Sequence, residues 1–147
     1  MLAEIGLIAT AFAFLSALIA VGAAFQAGRT RSENLLISAR NAGLATFPLL
    51  LIAVAALLAA LLTQQYQISY VWNVTDPSTP TFYRITALWG SQQGSLLFWS
   101  LLMSAFAFLA IVMHWQDQRR LMPGVIGFTM ATLAFFIGLS LFLENPF

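Results

Sequence analysis

Residues 41–62 read NAGLATFPLLLIAVAALLAALL, and none of them carries a charge. A helix crosses a hydrocarbon core of about 30 Å with about 20 apolar residues. The stretch is long enough for that, and its interior Pro48 marks a point where a helix would kink. A lone strand would leave backbone groups unpaired in lipid, so the stretch reads as a membrane-spanning helix.

The same pattern recurs on both sides of it. Charge is absent from 5–28, 41–75, 85–116 and 121–143. Spans are expected near 5–25, 42–62, 95–113 and 123–143. The second and third charge-free runs exceed one span. Their surplus at the facing ends is polar and aromatic, which reads as an outward loop over 63–94. Pro123 suits the first turn of the last helix, where a missing N–H costs nothing. Residues 1–147 are thus expected to form one transmembrane module, an all-α polytopic membrane protein with about four transmembrane helices.

Composition agrees. Apolar residues make up 61% of the chain, charged residues 7%, and the mean hydropathy is +0.88. Soluble domains are about a quarter charged, so a soluble globular protein, a disordered chain and a nucleic-acid binder are all excluded. The chain has no cysteine, which excludes a disulfide-stapled module. The lipid bilayer is the partner this composition implies.

Six arginines and five acids carry all the charge. Arg29, Arg31 and Arg40 fall in the first expected loop and Arg119 and Arg120 in the third, whereas the second has only Arg84. Positive charge collects on the cytoplasmic side. Both termini and loop 63–94 are therefore expected to face outward, which is the periplasm if the membrane is a bacterial inner membrane. Only Glu4 precedes the first span, which lacks the basic flank of a cleaved signal and is expected to be retained. Small residues recur four apart at Ala13, Ala17 and Ser16, Ala20, Ala24. They recur again at Ala55–Ala59, Ala56–Ala60 and Ala134–Gly138. Such spacing lets helices approach closely in lipid, although alanine and glycine are common in membrane helices anyway.

The candidate residues lie in the outward segment. All three tyrosines (Tyr66, Tyr70, Tyr83) and three of the four tryptophans (Trp72, Trp89, Trp99) fall between Gln64 and Trp99, in that segment and the start of the span after it. An aromatic belt at the headgroup layer accounts for several of them. Residues 73–80 contain two prolines and several turn formers and read as a loop. Ser91-Gln92-Gln93-Gly94-Ser95 is a polar island against a span. It reads either as a helix cap built on Ser91 or Ser95, or as a surface that meets a flat ligand or another protein. Arg84, the lone outward arginine, is a candidate contact for an acidic group. His114 reads as an interfacial residue, and the five methionines form no cluster. No catalytic or metal-ligating residues are expected. No acid lies mid-span, which argues against an ion-coupled transporter.

Trp89-Gly90-Ser91-Gln92-Gln93-Gly94-Ser95-Leu96-Leu97-Phe98-Trp99 resembles the tryptophan–glycine signature of the CcmF/NrfE family of cytochrome c-type biogenesis proteins. Ile68-Ser69-Tyr70-Val71-Trp72, Pro80, Tyr83-Arg84-Ile85, Glu4-Ile5-Gly6 and Asn145-Pro146-Phe147 are similar to further landmarks of that family, in order. Gln93 stands where many members carry glutamate. Members are several times longer, and the chain looks like their N-terminal part only.

The resemblance implies a membrane subunit or N-terminal module of the cytochrome c maturation haem lyase, which attaches haem to apocytochrome c. Haem is then the implied group, without its ligands in this chain. The implied partners are the remaining lyase subunits or C-terminal part, a periplasmic haem chaperone and apocytochrome c. Trp89, Gly90, Gly94, Ser95, Trp99 and Arg84 become the candidate haem-site residues. A non-catalytic membrane scaffold or a transporter half is the alternative.

Overall fold

The computed structural model describes all of Met1–Phe147. Four long helices carry the fold: α1 (Leu2–Thr30), α2 (Glu33–Leu62), α5 (Gln92–His114) and α6 (Met122–Phe142). Two short ones, α3 (Ser69–Val74) and α4 (Thr81–Gly90), lie between α2 and α5. All four long helices are long and apolar enough to cross a membrane. The protein is an all-α, multi-pass membrane protein. The long helices form a ring in which α1 packs on α2 and α6, α2 on α5, and α5 on α6. Helix α4 leans on α5 and α2 at one end.

Alanine makes the ring tight. Ala13, Ala17 and Ala20 of α1 have no exposed surface, and Ala24 has 1%. Ala56 and Ala60 of α2 are buried as well, whereas Ala55 faces outward. A Cβ on Gly127 of α6 would meet Ala24 in ordinary contact at 3.8 Å. A Cβ on Gly138 would lie 3.3 Å from the Phe14 ring, so this small residue admits an aromatic one. The outward faces are apolar too, with Phe12, Phe106, Phe128 and Phe135 exposed. Helices that are apolar all round suit a bundle whose outer solvent is lipid.

Most buried hydroxyls of the bundle bond to their own helices, whereas Ser140 Oγ of α6 has no partner. Thr10 donates to Gly6 O at 2.8 Å, Thr46 to Gly43 O at 2.7 Å and Ser100 to Leu96 O at 2.7 Å. These three hydroxyls thus find an acceptor within their own helix, which spares them an unpaired group in the low-polarity interior.

The helix boundaries correct the expected ones. Helix α2 begins at Glu33 and not near 42, so Arg40 is helical. Arg29 belongs to the last turn of α1, and the first connection is only Arg31-Ser32, with Arg31 in the left-handed region (φ 54°). Arg40 is tolerated there because its guanidinium lies 4.8 Å from the Trp115 ring centroid. Arg119 stacks on Trp115 too, at 4.2 Å, and pairs with Glu33. A buried indole between two cations thus ties the α5–α6 connection to α2. Trp115→Leu is expected to cost about 1–2 kcal/mol by loss of these two contacts, read from thermal melts in detergent. Glu33→Gln removes only an exposed pair and is expected to cost under about 1 kcal/mol.

The segment expected as loop 63–94 is also corrected. It holds α3 and α4, and its last residues already belong to α5. Asn73 and Val74 end α3, so the irregular stretch is 75–80. There Thr79 N donates to Asp76 O at 2.9 Å, and Asp76 N to Thr79 Oγ1 at 2.8 Å. Pro80 then precedes the first turn of α4, where its lack of an N–H is harmless. At the chain's two ends, the Phe147 ring covers Gly6 so closely that a Cβ on Gly6 would overlap it. Asn145 shapes that return, its Oδ1 accepting from Phe147 N at 2.9 Å.

Candidate functional site

The tryptophan–glycine segment forms a sharp corner where α4 passes into α5. Ser91 is the cap residue of α5, and its Oγ accepts from Gly94 N at 3.3 Å. The cap reading of the polar island therefore holds, with Ser91 in that role. Ser95 does something else, donating from Oγ to Trp89 O at 2.6 Å, back across the corner.

Tyr70 of α3 locks this corner from beneath. Its hydroxyl donates to Ala87 O at 2.9 Å and lies 2.7 Å from Ser91 Oγ. One proton arrangement serves every group: Gly94 N–H to Ser91, Ser91 to Tyr70, and Tyr70 to Ala87. Gly94 is buried, and a Cβ on it would overlap the Leu88 carbonyl oxygen and the Tyr70 hydroxyl. Glycine is required there by close approach, not by an unusual φ. Gly90 has open space around it.

The sequence placed Tyr70 only in an aromatic belt, but it is 2% exposed and joins α3 to the α4–α5 corner. Its presence in the Ile68–Trp72 landmark was the available signal. Burial pushes its phenol above the ordinary value of 10.0, and the Ser91 hydrogen bond partly offsets this. The unfolded chain therefore ionises first as pH rises. The stability held by the neutral phenol is whole below pH 10.0 and is lost as pH climbs through the raised folded value. Melting temperature above pH 10.0 is expected to fall more steeply in the wild type than in Tyr70→Phe. Equal slopes for the two proteins would contradict this.

The candidate residues divide. Trp89, Gly94 and Ser95 share the corner, with Trp89 54% exposed and its ring 5.9 Å from Phe98. Trp72, also outward, is 69% exposed and meets Tyr66 edge-on. Trp99 is 61% exposed and lines an apolar groove of 450 Å³ with Leu96, Met103 and Phe136 among others. Arg84 stands apart from the corner. It shares the Pro77 carbonyl with Gln64 (3.4 and 3.3 Å) and leaves its Nε without a partner. His114 lies at the opposite end of α5, its Nδ1 3.2 Å from Ala110 O. No three His, Cys, Asp or Glu side chains come together. What this corner provides is a fixed backbone shape that presents indoles.

No family model matches the chain. Individual relatives do match. Cytochrome c-type biogenesis protein CcmF of Haemophilus influenzae is 29% identical over 100% of this chain and 23% of its own length. Cytochrome c-type biogenesis protein NrfE of the same organism is 32% identical, again over 100% of the chain and 23% of itself. CycK of Rhizobium meliloti is 28% identical over 100% of the chain and 22% of itself. The chain is similar from end to end to CcmF/NrfE cytochrome c-type biogenesis proteins. It spans about a quarter of the length of these relatives.

A solved structure, cytochrome c heme lyase CcmF, superposes with a TM-score of 0.93 over 100% of this chain and 25% of its own, at 24% identity. That likeness shows that the four-span bundle and its corner segment follow the CcmF fold. The scaffold and transporter readings lose ground, because the family match runs from end to end of the chain.

Proposed function

We propose that this chain is a membrane module of a cytochrome c maturation haem lyase, seated in a bacterial inner membrane. The observation that carries the reading is the end-to-end match to CcmF/NrfE proteins. The corner held by Tyr70, Ser91 and Gly94 supports it, since it rests on residues of the family-like segments.

Five of the six arginines lie toward the α1–α2 and α5–α6 end, which the Glu33–Arg119 pair joins. The positive-inside rule makes that end cytoplasmic. Both termini and the tryptophan–glycine corner then face the periplasm, where haem and apocytochrome c would arrive.

Haem enters as substrate, its vinyl groups being joined to cysteine thiols of the apocytochrome. The side chains here do not suit the iron itself. The one histidine is at the far end, and Tyr70 is committed to Ser91 and Ala87. The module's part is then to shape and present. Gly94 and Ser95 hold the corner, Trp89 and Gly90 offer a flat face, and Trp99 faces the neighbouring groove. Arg84 would meet a haem propionate with its guanidinium. Iron ligation and bond formation fall to parts of the lyase outside these 147 residues, whether other subunits or a C-terminal part.

The test is c-type cytochrome formation, measured by haem staining, in cells that express the chain with a polypeptide equivalent to the rest of the family protein. Output is expected only when both are present. Arg84→Ala is expected to lower it about tenfold, as for one charge-assisted hydrogen bond. Full output without the chain would remove the reading.

A further inference from the structure

The end opposite the tryptophan–glycine corner holds a cleft of 510 Å³ between the α1–α2 turn and the α5–α6 connection. Arg31, Arg119 and Arg120 line it, with Ser32 and Glu33 as the other polar walls. Arg119 is engaged with Glu33, while Arg31 and Arg120 have no ion-pair partner. Positive charge is thus left over inside a concave, polar site. The first amides of α2 open at the same lip, where the Ser32 side chain makes no cap. The floor is closed by Gly28 packed on Pro123, with 3.6 Å from a Cβ on the former to the latter.

Topology alone explains why the arginines share a side of the membrane. It does not explain why three of them surround one cavity. The volume suits a headgroup-sized polar molecule and is too large for a lone small ion. The cleft lies at the ends of the four long apolar helices, which a span of the hydrocarbon core by those helices puts at the headgroup layer. Leu121, adjoining in sequence and 59% exposed, offers apolar surface to a chain descending from that headgroup. A free phosphate would use only the arginines, whereas a lipid would use both features.

We propose that this cleft holds the phosphodiester headgroup of an anionic membrane lipid. Arg31 and Arg120 supply the free charge, and Arg119 supplies a third guanidinium already oriented by Glu33 and Trp115.

The test compares the wild-type chain with an Arg31→Gln/Arg120→Gln variant, both purified in neutral detergent. Phosphatidylglycerol, phosphatidylcholine and sodium phosphate are titrated separately, with lipid adducts read by native mass spectrometry. Phosphatidylglycerol is expected to bind the double variant about thirtyfold more weakly, at roughly fivefold per arginine near an anionic surface. Phosphatidylcholine is expected to bind both proteins weakly and equally. Arg29→Gln, outside the cleft, is expected to bind as wild type. Arg31→Lys/Arg120→Lys is expected to recover most of the binding, which separates charge from folding. Undiminished phosphatidylglycerol binding by the double variant would overturn the proposal. So would equal preference for phosphatidylcholine, or displacement of the lipid by equimolar phosphate, which would assign the cleft to the free anion.

Discussion

Gly94→Ala is expected to destabilise the chain by about 3 kcal/mol or more, because overpacking and the loss of buried hydrogen bonds act together. The added Cβ would overlap the Leu88 carbonyl oxygen and the Tyr70 hydroxyl and reach 2.9 Å from the Leu88 carbonyl carbon. Two of these are backbone atoms, so no rotamer change relieves the clash. The corner must open, which breaks the Gly94–Ser91 and Ser91–Tyr70 hydrogen bonds together. Tyr70 would stay buried with its bond to Ala87 O but lose Ser91. Ser91→Ala leaves the space intact and is expected to cost only about 1 kcal/mol. Thermal melts in detergent, followed by near-ultraviolet circular dichroism, measure both. A Gly94→Ala protein that melts with the wild type would show that the corner is not a single unit.

Ala20→Phe is the second large effect. Ala20 has no exposed surface and lies on the alanine face that α1 turns into the ring. In lipid, apolar side chains gain little by leaving the surrounding hydrocarbon, so close backbone approach carries the packing. A phenyl ring at this position forces α1 away from its neighbours, at about 3 kcal/mol for an insertion the core cannot absorb. Ala55→Phe is the control, since Ala55 faces outward and is expected to cost nothing measurable. Resistance of the folded chain to sodium dodecyl sulfate reads the difference. Equal resistance of the two variants would mean that the alanine face is incidental.

The four spans were legible because charge is so scarce. Eleven charged residues divide the chain, and every long gap between them became a helix. The start of α2 was not legible for the same reason. Arg40 looked like a loop residue, and only a tryptophan from another connection makes its place inside a helix tolerable. Helices α3 and α4 are too short to show a period, and the prolines between them spoke for a loop.

At the candidate site, Gly94 and Ser91 could be singled out from the polar island, and their roles follow local rules of capping and close approach. Tyr70 could not be told from an interfacial aromatic, because its role depends on α3 folding back beneath α4 and α5. Arg84 was legible as the odd charge out, but its bond to Pro77 depends on a turn set by Asp76 and Thr79. The meeting of Gly6 with Phe147 joins two weak sequence landmarks into one packed contact, visible only once α1 and α6 are neighbours.

The most direct measurement is a tagged pull-down of the wild-type chain from detergent-solubilised native membranes, with mass spectrometry and a haem absorption spectrum on the eluate. The predicted result is a membrane partner that resembles the rest of the CcmF/NrfE proteins, together with haem in the absorption spectrum. A folded chain that elutes without haem and without such a partner would contradict its place in a haem lyase.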